Sequence, residues 1–355
     1  ALLSDTVQIP FLGLVVVDEQ HRFGVAQRDA LRERQGVTDP ATGAERTPHL
    51  LVMTATPIPR TIAMTVFGDL DTAVLDELPA GRRPVITHLV PWERRSWVEG
   101  IWRRAAREVA AGGRVYIVCP RIDAGDQEQG DDVPENPDGP LESRDAGEPV
   151  RSPAAVTEWA ARLADEPALA GTDVVTLTGR MSGAEKDAAM EAFASGAAPV
   201  LVATTVIEVG VDVPEASMMV ILDADRFGLS QLHQLRGRVG RGERPSVCMA
   251  VTGVEVGSTA FHRLKAFAQT ADGFALAEAD LELRSEGNVL GAAQSGRRSD
   301  LDLLRVTRDR GVIEAARGEA EDIIAADPDL EDHPALAAAI ADRLDEESQA
   351  YLERA

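Results

Sequence analysis

Short, uninterrupted apolar segments constrain the fold of this chain more than any other feature. They recur with helix-like stretches between them, at residues 14–17, 50–53, 115–119, 174–177, 200–202, 218–222 and 247–251. Continuous apolar runs of this length favour parallel strands that are buried on both faces. The alternation of strand and helix therefore predicts an α/β fold, in which helices flank parallel sheets.

The length of 355 residues suggests two or three domains, at about 150 residues each. A Pro- and Gly-containing stretch at 78–84 is interpreted as a hinge, which gives domains at 1–83, 84–253 and 254–355. The first domain offers two strands and is expected to be truncated, whereas the second holds five. Helices are predicted at 97–111 and 184–194, in a pair over 261–290, and in a tail from about 301 that includes a helix beginning at Pro334.

Composition places the chain among ordinary globular proteins. Hydrophobic residues make up 44% and charged residues 27%, which excludes wholesale disorder, collagen and a disulfide scaffold. Cys119 and Cys248 lie inside apolar runs, so we interpret them as reduced core residues. Because no apolar stretch approaches the length of a membrane span, we expect a soluble, cytoplasmic protein with no membrane partner.

The net charge of -23 argues against a protein that wraps DNA through its overall charge. Residues 123–148 carry ten of the carboxylates and one arginine, together with several prolines and glycines. We interpret 123–152 as a disordered acidic insert that is dispensable for folding. The rest of the chain is correspondingly less acidic.

The first apolar strand ends in Asp18-Glu19-Gln20-His21. An aspartate at the tip of a buried parallel strand is suited to hold a nucleotide-bound magnesium through water, and a neighbouring glutamate can activate the attacking water. A helix N-cap is the alternative explanation for the Asp-Glu pair alone. The longer segment 18–24 resembles the second motif of superfamily two helicases, in the variant of the RecG family of DNA helicases.

The second strand leads into Thr54, Thr56, Pro57 and Arg60, a segment similar to the third motif of the same family. Two hydroxyl groups follow the strand, and Pro57 stops it from continuing. Turn capping explains the threonines when they are taken alone. The resemblance implies that Thr54, Thr56 and Arg60 couple the nucleotide site to DNA.

Residues 203–214 resemble the fifth motif of these helicases. The resemblance implies that Thr204 and Thr205 contact the nucleic-acid backbone and that Gly210 and Asp212 approach the nucleotide ribose. A polar strand end with a glycine for close backbone approach is suited to either ligand. An ordinary loop between strand and helix is the alternative.

The segment 231–242 is the most specific motif, with three arginines spaced by glycines. Guanidinium groups have no evident role in a core without anions, so we expect all three to serve phosphate binding. The motif resembles the sixth helicase motif, which implies arginine fingers at Arg238 and Arg241 and Gln234 at the nucleotide. It implies a supporting role for Arg236 among the residues that contact DNA or couple to it. A plain nucleic-acid contact is the alternative.

Residues 270–284 and 287–296 resemble the helical hairpin and loop that couple motor closure to translocation on double-stranded DNA. RecG and the transcription-repair coupling factor share this element, and the resemblance assigns the coupling role to Arg284 and Gln294. Ser285-Glu286 replaces the usual Gly-Pro. A carboxylate on the same helix is the alternative partner for Arg284.

The resemblance implies two RecA-like helicase motor domains followed by a helical region. It implies ATP and Mg²⁺ as cofactors, and catalytic roles for Asp18, Glu19, Gln20, His21, Arg238 and Arg241. The implied partners are branched or double-stranded DNA, at stalled forks and Holliday junctions, and single-stranded DNA-binding protein. The implied activity is branch migration in DNA repair and recombination by a monomeric motor.

A complete motor also needs a phosphate-binding loop whose glycine precedes a lysine. The lysines of this sequence, Lys186 and Lys265, follow Glu185 and Leu264. We therefore expect the C-terminal part of a RecG-like helicase, without the wedge domain and inactive by itself. Two other functions stay open: a non-catalytic DNA- or partner-binding fragment, and a translocase like the coupling factor.

Overall fold

The computed structural model describes residues 13–18, 37–38, 45–46, 49–54, 73, 75, 84–123, 152–208, 212–280 and 310–343. The acidic insert predicted from the sequence lies outside the described residues except at its two ends. Secondary-structure elements are labelled below in chain order.

A six-stranded parallel sheet is the centre of the described structure. Its strands lie side by side in the order β5-β10-β9-β6-β8-β7, and every pair of neighbours is parallel. The strands are β5 (Ile86–Pro91), β6 (Arg114–Val118), β7 (Val174–Leu177), β8 (Val200–Ala203), β9 (Ala216–Ile221) and β10 (Val247–Thr252). The predicted α/β fold is confirmed.

The sequence prediction missed one of these strands, β5. It lies at the edge of the sheet and pairs with β10 alone among the described strands. Its sequence, Ile-Thr-His-Leu-Val-Pro, alternates in exposure over its first four residues, with Ile86 and His88 exposed and Thr87 and Leu89 partly buried. Strands were predicted from continuous apolar runs, and β5 has instead the alternating pattern of a half-buried strand.

Helices cover both faces of the sheet. One face packs against α1 (Arg95–Ala110) and α2 (Val156–Ala164), and the other against α3 (Gly183–Ser195), α4 (Leu229–Arg236) and α5 (Thr259–Gln269). Side chains of β6 alternate between the two layers: Val115 and Ile117 join the first, Tyr116 and Val118 the second. This alternation follows from the two-residue period of a strand.

Local signals fix where α3 begins and ends. The Ser182 side chain accepts from the Glu185 N–H, and the Glu185 carboxylate accepts from the Ser182 N–H, which completes a capping box. Gly196 follows the helix with φ of 85°, a conformation that glycine adopts without strain. The prediction of a helix at 184–194 is thus confirmed, as is the one at 97–111.

Two smaller strand pairs precede the large sheet. Strands β1 (Leu14–Val17) and β4 (His49–Val52) pair in parallel, as expected for the two strands of the first segment. A two-residue antiparallel pair, β2 (Val37–Thr38) and β3 (Glu45–Arg46), was not predicted.

The described residues after β10 are mostly helical, as the sequence predicts. A helix, α6, begins at residue 273 directly after α5 and is described to residue 280. It is followed by α7 (Arg310–Ala326) and α8 (Pro334–Arg343). Between these two, the Asp327 carboxylate accepts from the Glu331 and Asp332 N–H groups and contacts His333, which fixes the turn.

Both cysteines are free and buried, in agreement with their predicted core role. Burial raises the pKa of Cys248 to about 12 and that of Cys119 further still, so both thiols stay protonated at neutral pH. Within the residues that the structure describes, no helix is long and apolar enough to cross a membrane.

Candidate functional site

The structure describes about half of the residues that the sequence singled out. It places Asp18, Thr54, Thr204, Thr205, Asp212, Gln234, Arg236, Arg238 and Arg241. The remaining candidates lie outside the described residues and stay predictions: Glu19, Gln20, His21, Thr56, Arg60, Gly210, Arg284 and Gln294.

The segment 237–242, called here the arginine loop, follows α4 at the amino end of the sheet. Its position is set by Val239, which is fully buried in the core, and by the Gly240 N–H, which donates to the carbonyl of Ala216 at 3.3 Å. Ala216 is the first residue of β9. Gly240 has φ of 76°, which reverses the chain between the flanking arginines.

Gly242 lies directly against the backbone before β9. A Cβ atom at this position would come within 2.5 Å of the Pro214 carbonyl oxygen. The glycine is therefore required for the close approach of two backbone segments. This contact and the buried Val239 side chain hold the loop against the core. Arg238 is half-buried and Arg241 exposed on the loop.

Arg241 lies on the outer side of the loop beside Asp212. Its Nε donates to the Gly237 carbonyl at 3.1 Å, and its Nη1 lies 3.3 Å from the Asp212 carboxylate. The Arg241 side chain is 35% exposed and that of Asp212 56% exposed. The two residues that the sequence assigned to the nucleotide phosphates and ribose are thus neighbours, and solvent reaches both.

The charges of Arg238, Arg241 and Asp212 converge on the Tyr116 phenol. Burial raises the pKa of Tyr116 to about 12, while the two arginines lower it and Asp212 raises it. Tyr116 packs against Phe193 inside the core, with ring centroids 4.5 Å apart and the rings inclined by 48°. Arg238, like Gln234 on α4, is half-buried. The charges of both arginines and of Asp212 therefore act on the same buried, neutral phenol.

Arg236 corrects the expectation that none of the three arginines belongs to the core. Its side chain is buried, with 4% exposed, and Nη1 donates to the carbonyls of Phe267 at 2.8 Å and Thr270 at 2.7 Å. The sequence analysis expected phosphate to accept these hydrogen bonds, whereas carbonyl oxygens at the end of α5 accept them. Burial lowers the pKa of Arg236 from its usual value. The guanidinium is bonded within the core and is not available for phosphate binding.

Asp18 and Thr54 follow two strands that lie side by side. Val17 of β1 is in register with Val52 of β4, and the Met53 N–H donates to the Val17 carbonyl at 2.8 Å. Asp18 and Thr54 are both exposed just beyond these carboxyl ends. The structure therefore brings together the candidates of the second and third motifs.

Thr204 and Thr205 lie at the opposite end of the large sheet from the arginine loop. Thr204 directly follows β8 and is nearly buried, and Thr205 opens a short 3-10 turn that ends at residue 208. The arginine loop instead lies at the start of β9. The structure therefore does not bring the threonines and the arginine loop to the same end of the sheet.

The sequence prediction missed a buried carboxylate, Asp223, directly after β9. It is 5% exposed and accepts from the Trp92 indole N–H at 2.9 Å and from the Ala154 N–H at 2.6 Å. Its φ of 52° is a left-handed conformation that aspartate tolerates. Asp223 therefore joins the ends of β5 and β9 to the chain that enters α2, and its place after an apolar run was the signal that could have found it.

No group of three or more His, Cys, Asp and Glu side chains within the described residues forms a cage for a metal ion. An exposed aspartate at a strand end suits a cation that is held mainly by water and by a bound phosphate, which is how Mg²⁺ is usually held. Asp18 fits such a role chemically.

Comparison with known proteins identifies relatives over nearly the whole chain. Residues 154–243 match the model of the helicase conserved C-terminal domain, and residues 270–352 match that of the ATP-dependent DNA helicase RecG, domain 3, C-terminal. An ATP-dependent DNA helicase RecG of Mycobacterium tuberculosis is 49% identical over 318 residues, which cover 89% of this chain and 40% of the relative. One from Synechocystis is 43% identical, over 95% of this chain and 36% of the relative.

A solved structure of RecG bound to a three-way DNA junction is also similar to the chain. It shares 38% sequence identity with a TM-score of 0.58, and the match covers 87% of this chain and 34% of that one. The chain thus spans about 40% or less of the length of these relatives.

Proposed function

We propose that the chain, which belongs to the RecG family of ATP-dependent DNA helicases, contributes one motor domain and the coupling hairpin of an ATP-driven DNA motor. The whole protein would act on branched or double-stranded DNA, at stalled forks and Holliday junctions, by branch migration. Residues 84–253 would form the second RecA-like motor domain, 1–83 part of the first, and 254–355 the hairpin and helical region.

The arginine loop carries this proposal, because it holds a half-buried Arg238 and a partly exposed Arg241 three residues apart. Buried Val239 and the close approach of Gly242 to Pro214 fix the backbone of the loop. A guanidinium fork suits the equatorial oxygens of a phosphoryl group in transfer, and preorganised charge stabilises the transition state. To bind a phosphate, Arg241 would give up its ion pair with Asp212. This pair is exposed to solvent, so its loss costs little free energy.

Other residues would bind the nucleotide and its metal ion. Asp212 and Gly210 would approach the ribose, and Gln234 the nucleotide beside the arginines. Asp18 would hold Mg²⁺ through water, with Glu19 orienting the attacking water and Gln20 and His21 completing the motif. Bound Mg²⁺ would neutralise charge on the phosphates. The described contact between Arg241 and Asp212 supports this grouping.

A separate set of residues would contact DNA and transmit motion. Thr204 and Thr205 at the carboxyl end of β8 would bind the DNA backbone, and Thr54, Thr56 and Arg60 would link it to the nucleotide site. Arg284 and Gln294 would act in the coupling loop. We further propose a monomeric, cytoplasmic motor with single-stranded DNA-binding protein as a partner.

Substitution of Arg241 tests the proposal in a RecG protein that has both motor domains and carries this sequence. Arg241→Ala should lower DNA-stimulated ATP turnover by about three powers of ten or more, the range for a lost arginine finger, while junction binding stays nearly intact. Arg244→Ala is the matched control, because Arg244 is three residues away and its side chain donates to the Ala111 carbonyl. Its turnover should stay near that of the unaltered protein.

The opposite result would indicate a different use of the same residues. If Arg241→Ala weakens junction binding and leaves single-turnover hydrolysis unchanged, the arginine loop is a DNA phosphate clamp and the finger role is wrong. Equal losses for Arg241→Ala and Arg244→Ala would indicate a structural lesion at the amino end of the sheet.

A further inference from the structure

The solvent side of α1 is basic in a chain whose net charge is -23. This surface, called here the basic face, is formed by Arg94, Arg95, Trp97, Arg103 and Arg107, all of which are exposed. None of its four arginines forms an ion pair with a described residue. Glu93 and Glu99 are the exposed carboxylates of the same segment, so the arginines outnumber them by four to two. Such a local excess of positive charge favours an anionic partner.

Trp97 differs from the other tryptophans of the chain in its exposure. It is 53% exposed, whereas Trp92 and Trp102 both pack on Trp159, with ring centroids 5.8 and 5.5 Å apart. The Arg94 guanidinium lies 5.5 Å from the centre of the Trp97 ring. An aromatic ring in water beside a guanidinium offers a stacking surface and a phosphate-binding group to one nucleotide.

Gly100 lies close to Trp97, about one turn further along α1. Glycine in a helix interior is less favourable than alanine, because it loses more backbone freedom on folding. A Cβ atom at Gly100 would meet nothing within 4 Å, so packing in the described structure does not require a glycine here. Absence of a side chain leaves open surface beside the Trp97 ring. The glycine is therefore suited to the close approach of a ligand to the helix.

The basic face has a length that fits several nucleotides. Arg95 and Arg107 are separated by about 18 Å along the helix axis, at about 1.5 Å per residue. A strand of stacked nucleotides carries one phosphate per about 3.4 Å, so about five nucleotides cover this distance. Because α1 leads from the end of β5 to the start of β6, its first turn lies at the carboxyl end of the sheet. Thr204 and Thr205 lie at the same end.

We infer that the basic face of α1 binds a single strand of DNA, with one base stacked on Trp97 and phosphates on the arginines. A duplex cannot replace the single strand, because its bases are stacked on one another and present no free face to the ring. The site is additional to the DNA contacts proposed at the end of β8. The inference rests on the proposed function in one respect, since strand separation would supply the single strand.

Binding of a labelled 12-nucleotide oligothymidylate to the 355-residue chain tests base stacking, by fluorescence anisotropy. Trp97→Ala should weaken binding by about fivefold or more, the lower end of the effect of one stacked base, and Trp97→Phe should keep most of the affinity. Both variants should unfold at the same urea concentration as the unaltered chain, because Trp97 is exposed. Equal binding by Trp97→Ala and the unaltered chain would overturn the inference.

Gly100→Leu tests the open surface beside the ring. Leucine favours a helix more than glycine does, so the variant should be at least as stable as the unaltered chain. Its side chain should fill the open surface and weaken oligothymidylate binding by about fivefold or more. Unchanged binding would show that no base occupies this surface.

The salt dependence of binding tests the arginines. Each phosphate contact on a single strand contributes about 0.7 to the slope of log affinity against log salt, so Arg103→Gln with Arg107→Gln should reduce the slope by about 1.4. Arg104→Gln with Arg162→Gln is the matched control, because each of these arginines is paired with a carboxylate four residues away on its own helix. The control should leave the slope unchanged. Equal changes in the two double variants would overturn the assignment to the basic face.

Duplex DNA and polyglutamate distinguish the other occupants of the basic face. A 12-base-pair duplex should bind more weakly than the single strand and should be insensitive to Trp97→Ala. Polyglutamate, which has charge and no bases, should not displace the oligothymidylate at equal charge concentration. Displacement by polyglutamate, or a duplex that depends on Trp97, would overturn the choice of a single strand.

The inference and the proposed function fail in different ways. If the 355-residue chain binds no oligothymidylate while a RecG protein that carries this sequence hydrolyses ATP in an Arg241-dependent manner, the inference alone is wrong. If the chain binds the oligothymidylate through Trp97 and that RecG protein hydrolyses no ATP, the proposed function is wrong and the binding site stands.

Discussion

Arg236 and Arg241 lie five residues apart on one segment but have opposite surroundings. Arg236 is buried among carbonyl oxygens and an aromatic ring, whereas Arg241 is partly exposed beside a single carboxylate. The difference shows that one motif can hold a cation that is fixed in the core and a cation that solvent reaches. Burial and the number of fixed acceptors, and not the residue type, separate the two roles.

The largest expected effect of this contrast is on folding stability. Arg236→Met should lower the free energy of unfolding of the 355-residue chain by about 2–4 kcal/mol, because each buried acceptor left without a donor costs about 1–3 kcal/mol. Arg241→Met should lower it by at most about 1 kcal/mol, because its ion pair is exposed. Urea unfolding of the two variants measures both values. Similar losses would show that Arg241 is also part of the core.

A smaller effect is expected from the glycine that holds the arginine loop. Gly242→Ala should cost about 1–3 kcal/mol, because its Cβ would press against the Pro214 carbonyl and one backbone segment must shift. Gly183→Ala is the control, since a Cβ there meets nothing within 4 Å. Thermal unfolding compares them, and a variant at Gly242 as stable as the control would refute the close approach.

The smallest expected effect is electrostatic and concerns the Tyr116 phenol. The pKa of Tyr116 is about 12 in the folded chain, above the usual value of about 10. The neutral phenol therefore stabilises the folded state, and this contribution to the free energy of unfolding is lost as pH rises from about 10 to about 12. Arg241→Ala removes a cation that lowers this pKa and should raise it further. Ultraviolet titration of the phenolate, with Tyr116→Phe to assign it, measures the shift. A lower pKa of Tyr116 in Arg241→Ala would show that the charge of Arg241 does not act on the phenol as described.

The sequence predicted the fold well wherever burial on both faces produces a continuous apolar run. Strands β6 to β10 followed this pattern, and β5 did not because Thr87 and His88 interrupt its apolar residues. The helix beginning at Pro334 was also predicted correctly.

The candidate site was less predictable, because contacts between distant segments determine it. The sequence grouped Arg236 with its neighbours, since nothing local reveals that the end of α5 supplies its acceptors. Asp223 was missed because its partners, Trp92 and Ala154, are distant in the sequence. The pairing of Arg241 with Asp212 joins two motifs that were assigned separately.

The central claim is that Arg241 serves ATP hydrolysis and that the buried Arg236 serves folding. It is tested most directly by measuring DNA-stimulated ATP turnover and the free energy of unfolding of a RecG protein that carries this sequence with Arg241→Lys or Arg236→Lys. Arg241→Lys should lower turnover and leave the free energy of unfolding nearly unchanged, because an ammonium cannot replace a bidentate guanidinium at a phosphoryl group. Arg236→Lys should lower the free energy of unfolding, because a lysine cannot reach all the acceptors that the buried guanidinium satisfies. If the two variants lower turnover and stability to the same extent, the division of roles is wrong.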